Sequence, residues 1–308
     1  MRKNQNTIHP LRELAFHAGP LHYQMQAHDS WGECRLAELA SHIAQPTHAR
    51  AQIDRIIHLH HLKPNKNNHS LPQILQTYLP DECSNLSWTR HDNLLNRVWQ
   101  NRDSKQTFWT DAADPGLGDF RYQLPWDLMI KDMAEHGGGL IHGGLVVHQG
   151  EAVLFLAPPG GGKTTTLSSA TDEWQVLGDD SALVWPSAEG IWQASPMPTW
   201  SCLIKQTEPI TAGRLALAEH YPLKAVIYLN KTSSIQRDIL AAIEAAPLIY
   251  RSLSEYTATV LADPLYRKEF FRAACNMARN HPCWRLGLPL GANIWPWLDN
   301  KLKALKHE

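Results

Sequence analysis

The sequence predicts an α/β fold built around one phosphate-binding loop, with a small α+β region ahead of it. Three observations carry that prediction. Glu151 to Ala157 is an apolar run of strand length, Ala157-Pro158-Pro159-Gly160-Gly161-Gly162-Lys163-Thr164 follows it, and Thr165 to Ala170 can continue as a helix. A second apolar segment, Gln175 to Gly178, then ends in the adjacent carboxylates Asp179 and Asp180. A strand there carries them back beside the loop.

The residue types in this stretch suit phosphate chemistry. Three successive glycines let the backbone N–H groups of Gly160 to Thr164 point inward as an anion nest. Lys163 supplies a point charge to the β- and γ-phosphates, and the Thr164 hydroxyl suits Mg²⁺, a hard ion that takes few protein ligands. Pro159, Gly160, Gly161, Gly162, Lys163, Thr164 and Thr165 form the expected nucleotide-contacting set. Ala157 stands where the pattern usually has glycine, which works only if its φ is negative. Of the two carboxylates, one can orient the metal and the other can accept the proton of an attacking hydroxyl. A Gly-Pro surface turn and a solvated Asp-Asp turn are the bland readings, and the strand and helix flanking the loop favour the site.

Ile141-His142-Gly143-Gly144-Leu145-Val146-Val147, then the loop, then Leu177-Gly178-Asp179-Asp180 resembles the catalytic domain of the HPr kinase/phosphatases in order and spacing. The resemblance implies a P-loop kinase domain of the HPr kinase/PEP carboxykinase-like type that uses ATP and Mg²⁺. It implies that Lys163 contacts phosphate, that Thr164 binds Mg²⁺ and that His142 sits by the transferred phosphoryl group. Asp180 is then the general base, with Asp179 supporting it and holding metal. A narrower resemblance covers the flanks: Trp192-Gln193-Ala194-Ser195-Pro196-Met197-Pro198-Thr199-Trp200-Ser201 and Gly291-Ala292-Asn293-Ile294-Trp295-Pro296-Trp297-Leu298 look like the ScmC proteins of SynChlorMet cassettes. Those proteins are HPr-kinase-like and accompany peptide-modifying enzymes, which implies a serine-type hydroxyl on a peptide or small protein as acceptor. The glutamate-containing segment that gives HPr kinases a further Mg²⁺ ligand, and their late basic loop, have no counterpart here. Ser181 to Thr207 offers only Lys205 as a cation, so phosphatase activity is not expected.

Length and charge bound the rest. The 308 residues are divided at about residue 120, into a small region over 1–120 for substrate presentation and a catalytic domain over 121–308. A net charge of −1, from 29 basic and 30 acidic residues, exerts no global pull toward nucleic acid or an anionic membrane. The cysteines, Cys34, Cys83, Cys202, Cys275 and Cys283, form no C-x-x-C pair, and their odd count suits free thiols in a reducing compartment. No apolar run approaches membrane-spanning length, so a cytoplasmic location is expected. The expected partner is a peptide or small protein, and homo-oligomerisation is left open.

Taken in order, residues 1–30 are polar and histidine-rich, and Leu36, Leu39, Ala40 and Ile43 sit at helical spacing before Pro46. Ile53 to Leu62 crowds His58, His60 and His61, with His58 and His60 on one face if the stretch is a strand. A metal site is disfavoured there, since a tetrahedral site needs at least three suitably placed ligands. Lys63 to Ser70 and Asp111 to Gly118 read as loops around a β-rich stretch, Leu86 to Thr110, whose Trp88, Trp99 and Trp109 are expected in a core. Pro125 opens a helix over Trp126 to His136, closed by Gly137-Gly138-Gly139. Ala182 to Trp185 and Gly190 to Gln193 make a hairpin, Lys224 to Asn230 a strand, and Ile235 to Ala246 a helix ending at Pro247. Tyr266, Phe270, Ala274 and Met277 form the apolar stripe of a helix that turns Arg267, Lys268 and Arg272 outward.

Two other functions are weighed. A nucleotide-hydrolysing switch needs a base-reading motif such as N-K-x-D, and Asn230-Lys231-Thr232-Ser233 lacks the aspartate; the L-S-G-G-Q-like stretch of transporter ATPases is absent. A nucleotide-dependent, non-catalytic carrier in a peptide-maturation complex binds nucleotide without turnover.

Overall fold

The computed structural model describes residues 12–42, 52–60, 73–79, 86, 88–92, 96–100, 106–111, 126–197, 219–255, 260–289 and 291–305. The chain forms two compact units, Met1–Trp126 and Asp127–Glu308.

In the first unit, β1 (Glu13–Ala18) and β2 (Leu21–Ala27) form an antiparallel hairpin that turns at Gly19, whose φ is +62°. The histidine-rich composition of this region conceals a period of two: Leu14, Phe16 and Ala18 are buried, and the residues between them are not. After α1 (Ser30–His42) come β3 (Arg55–Leu59), α2 (Gln73–Gln76), β4 (Thr89–Asp92), β5 (Asn96–Gln100) and β6 (Gln106–Asp111). The six strands lie in the order β1-β2-β3-β6-β5-β4. Strand β3 is central and parallel to both its neighbours. Its Ile57, His58 and Leu59 are all buried, because the strand is covered on both faces, and His58 and His60 share one face as expected, both beside the stacked rings of His28 and Tyr78. His60 lies beyond the strand, and His61 is outside the described residues. Trp99 is buried with Leu75 and Phe108, and Trp88 packs on their cluster. The side chain of Trp109 and the predicted Lys63–Ser70 loop are also outside the described residues.

The second unit opens with α3 (Trp126–Glu135), followed by β7 (Gly139–His142), β8 (Gly144–His148) and β9 (Glu151–Leu156). Next come α4 (Lys163–Leu167), β10 (Gln175–Gly178), β11 (Ser181–Pro186) and β12 (Trp192–Pro196). The chain continues through β13 (Tyr221–Lys231), β14 (Gln236–Leu240), α5 (Ala242–Ser254), α6 (Pro264–Asn280), β15 (Cys283–Leu288) and α7 (Trp295–Ala304). Strand β9 lies between β8, antiparallel, and β13, parallel. Strand β13 is shared along its length: its first residues pair with β12 and its later ones with β15.

Alternation along β9 divides the core. Leu154 and Leu156 join Ile249 and Leu253 of α5 and Ala274 and Met277 of α6 on one face of the sheet. Val153, Phe155 and Ala157 join Leu167 of α4 and Trp295, Leu298 and Leu302 of α7 on the other. A strand covered on both faces must be apolar throughout, which is why Glu151 to Ala157 reads as a continuous run.

The expected helix from Ile235 to Ala246 is a correction. Gln236–Leu240 is a strand paired antiparallel with β15, and the helix starts at Ala242 and runs through Pro247 to Ser254. Residues 236–239 are exposed, so edge pairing, not a buried apolar stripe, decides their conformation. Pro247 removes one ladder bond and crowds the carbonyl of Ile243. Both residues are on the exposed side of α5, where water solvates that carbonyl, while Ala245, Ala246, Ile249 and Leu253 anchor the other side. The stripe of α6 is as predicted, with Tyr266, Phe270, Ala274 and Met277 buried and Arg267, Lys268 and Arg272 exposed. Its start is capped by the Asp263 side chain, which accepts from the Leu265 N–H, with Pro264 at the first helical position. Cys34, Cys275 and Cys283 are free thiols. Among the described residues no helix is long and apolar enough to cross a membrane.

Candidate functional site

Strand direction brings the two motifs together. β10 is antiparallel to β8, and β8 to β9, so β10 and β9 run the same way and end at the same edge. The glycine-rich loop leaves β9 at that edge, and Asp179 and Asp180 leave β10 there. β7 comes from the opposite end of the same nine-stranded order, β10-β8-β9-β13-β12-β11-β7, paired with β11 so that His142 stands opposite Ser181, and the Gly143 N–H donates to the Asp180 carbonyl at 2.8 Å.

The two glycines after His142 are needed for close approach. A Cβ on Gly143 would lie 2.8 Å from Leu156 Cδ2, and one on Gly144 would lie 2.3 Å from Leu167 Cδ1. The start of β8 therefore packs directly on the end of β9 and on α4, which sets His142 against the loop.

Within the loop, Gly160 and Gly162 have φ of +72° and +100°, and Gly161 between them is outside the left-handed region. That alternation is the backbone of an anion nest. One expected donor is not available to it, because the Gly161 N–H donates to the Pro158 carbonyl at 2.8 Å and closes a turn inside the loop. A Cβ on Gly161 would lie 2.7 Å from Ala157 Cβ. Ala157 itself is buried and is not among the residues with positive φ, as its place in the pattern requires. Helix α4 begins at Lys163 and ends at Leu167, three residues short of the expected Ala170; Ser168, Ser169 and Ala170 close it as a turn, each N–H donating within the helix's last residues. Pro159 and Thr165 are exposed on the loop and the helix.

The side chains converge on Lys163, which is 9% exposed. Its Nζ is 2.7 Å from His142 Nε2 and donates a longer bond, 3.4 Å, to the Ala157 carbonyl. An ammonium has no lone pair, so the imidazole nitrogen is the acceptor and the ring proton is on Nδ1. That nitrogen is 3.7 Å from Asp180 Oδ1. Thr164 Oγ1 donates to Asp179 Oδ2 at 3.4 Å. Burial, and then the Lys163 charge, hold the His142 pKa below its ordinary value, against Asp180, Glu255 and Asp179. Burial also lowers the Lys163 pKa, opposed by the same three carboxylates.

Glu255 is the residue that sequence reasoning missed. It caps the C-terminal end of α5, and its Oε1 lies 3.9 Å from His142 Nε2. Nothing local marks it, since Ser254-Glu255 reads as the polar end of an amphipathic helix. Only the packing of α5 beside β7 carries it to the site. The histidine cluster of the first unit is built differently. His58 Nδ1 is 2.9 Å from His28 Nε2, and His58 Nε2 is 2.6 Å from Gln106 Oε1. The ring of His28 stacks on Tyr78. Among the described residues no three His, Cys, Asp or Glu side chains are grouped to hold a metal.

The site thus offers a buried ammonium, a hydroxyl beside a carboxylate, and an imidazole between two further carboxylates, gathered from the ends of β7, β9, β10 and α5. No curated protein matches the chain. A family model described as SynChlorMet cassette protein ScmC matches residues 124–303, which span the whole of this site. With more than half its length matched, and every element of the site inside the match, the chain belongs to the ScmC family.

Proposed function

We propose that this protein is an ATP-dependent kinase of HPr-kinase-like type, which transfers the γ-phosphoryl group to a serine-type hydroxyl of a peptide or small protein. One observation carries the reading: the lysine of a phosphate-binding loop and a pair of carboxylates share one sheet edge, with Asp180 beyond His142 from Lys163 and Asp179 at the Thr164 hydroxyl. The order of His142-Gly143, the loop and Asp179-Asp180, which resembles the HPr kinases, supports it, as does membership of a cassette family.

The residues present fit Mg²⁺ and a nucleotide. Thr164 Oγ1 and Asp179 Oδ2 are hard oxygen donors 3.4 Å apart, and a magnesium ion takes one or two such ligands beside phosphate oxygens and water. When bound, the ion neutralises phosphate charge. Thr164 and Asp179 would hold it, and Lys163 binds phosphate oxygens. Asp180 accepts the proton of the acceptor hydroxyl, and His142 stays beside the transferred group. Carboxylates outnumber the Lys163 ammonium around the loop, so a metal ion held by Thr164 and Asp179 would offset their repulsion of the phosphates.

The test is ADP release with Mg²⁺ and ATP, with and without candidate cassette peptides, together with acceptor mass. Acceptor-dependent ADP release with a gain of one phosphoryl group supports a kinase. Release without acceptor modification supports a nucleotide switch, and binding without turnover supports a carrier. Lys163→Ala should weaken nucleotide affinity by about 10²-fold or more while the protein stays folded, because it removes charge from an anion site and no core packing. Unchanged affinity in that variant would reject the loop as the phosphate site.

A further inference from the structure

A neutral imidazole has one N–H, and His142 faces two carboxylates. Asp180 Oδ1 is 3.7 Å from Nδ1, and Glu255 Oε1 is 3.9 Å from Nε2. In the structure the Nε2 lone pair is occupied by the Lys163 ammonium, 2.7 Å away, so Glu255 meets the ring and the lysine as a cluster. This resolves the geometry only while Lys163 stays on His142. A phosphate bound in the loop competes for the same ammonium. Once Lys163 turns to it, Nε2 would be left as an acceptor facing the Glu255 carboxylate, also an acceptor, in a partly buried pocket. A proton on Nε2 removes that conflict and lets one ring donate to both carboxylates.

We propose that Glu255 is a positioning residue that takes over His142 Nε2 when a nucleotide draws Lys163 away, so that nucleotide binding is accompanied by uptake of one proton onto the ring. The proton comes from solvent and no covalent bond is made or broken. The groups that face His142 are Asp180 after β10, Glu255 at the end of α5, Lys163 at the start of α4 and, at longer range, Asp179. Of these only Lys163 is cationic, and it is the group that moves. The ring then stands beside the phosphates as an imidazolium held at both nitrogens, a cation available to the transferred group without any further basic loop. The inference rests on the loop being a nucleotide site.

Its test needs no turnover. MgADP is titrated calorimetrically into the full chain at pH 7.5 in HEPES and in Tris, whose ionisation enthalpies differ, and the buffer dependence gives the protons taken up. The expected result is uptake on the order of half a proton or more per nucleotide. Glu255→Gln should keep MgADP affinity within about threefold yet lose most of the uptake, since the amide can satisfy an unprotonated nitrogen, and Glu255→Asp should retain part of it. In a ¹⁵N spectrum the His142 ring, identified by its loss in His142→Gln, should move to the imidazolium position on saturation with MgADP. Binding without uptake overturns the inference and leaves the nucleotide site standing. Uptake that persists in His142→Gln also overturns it, because a group other than the ring then gains the proton. Failure of the folded protein to bind MgADP overturns both.

Discussion

His58 in the first unit and His142 in the second each touch another basic side chain through a ring nitrogen, yet their surroundings differ in every other respect. His58 is 3% exposed and stacks on His28 and Phe108, and its two nitrogens are taken by His28 and by the Gln106 amide. Asp29 beside that cluster pairs with His60, and burial drives the His58 pKa down against the Gln106 hydrogen bond. His142 meets a buried ammonium and two part-exposed carboxylates at one edge of a sheet. Crowded histidines in a sequence therefore say little. A ring whose hydrogen bonds close among neutral partners belongs to a core, and one set among opposite charges at a sheet edge is a site candidate.

If the contrast is right, the two places respond to mutation in opposite ways. The largest expected effect is at Asp180, where Asp180→Asn should slow phosphoryl transfer by about 10²–10⁴-fold with nucleotide affinity nearly unchanged, because the amide keeps the shape but cannot accept a proton. Single-turnover kinetics with the acceptor peptide would check this. Should Asp179→Asn be the inactive variant and Asp180→Asn stay active, the roles of the pair are exchanged.

His58→Ala should do the reverse. It removes a buried ring and leaves Gln106 Oε1 short of its partner, for a loss of about 3 kcal/mol by chemical denaturation, with MgADP affinity unaltered. A loss of nucleotide binding in a still-folded His58→Ala protein would break the comparison. At Gly161 the effect is smaller and belongs to the site alone: a methyl 2.8 Å from the Pro158 carbonyl must reshape the loop, and Gly161→Ala should weaken MgADP binding by about tenfold with little change in melting temperature.

The smallest effect is the acid response of the neutral histidines. His28, lowered to about 4 by burial and then by His58 and His60, and His281 in the second unit, lowered to about 4 by burial and then by Lys224, both start from 6.5. Each takes up its proton more readily unfolded than folded, so the stability it contributes is complete above pH 6.5 and is lost as pH falls from there toward 4. Melting temperature against pH should flatten across this window in His28→Gln for the first unit and in His281→Gln for the second. Slopes identical to the parent protein would show that neither ring titrates with unfolding.

Several features could be read from residue order because their causes are local. The apolar run of β9, the glycine-rich loop after it, the buried stripe of α6 and the β-rich stretch expected as far as Thr110, one residue short of the end of β6, all follow from periodicity or from backbone conformations that few residues adopt. Other features needed the fold. Gln236–Leu240 became an edge strand because β15 lay open to pair with it, and α5 continues through Pro247 because its packed face outweighs one lost hydrogen bond. The hairpin of β1 and β2 lay hidden under histidines whose apolar neighbours alternate too briefly to stand out. The loop, Lys163 and the carboxylate pair were legible because they stand close together in the sequence as one recognisable pattern, but Glu255 was not. Its place beside His142 comes from helix α5 packing against β7, and no stretch of sequence contains both residues.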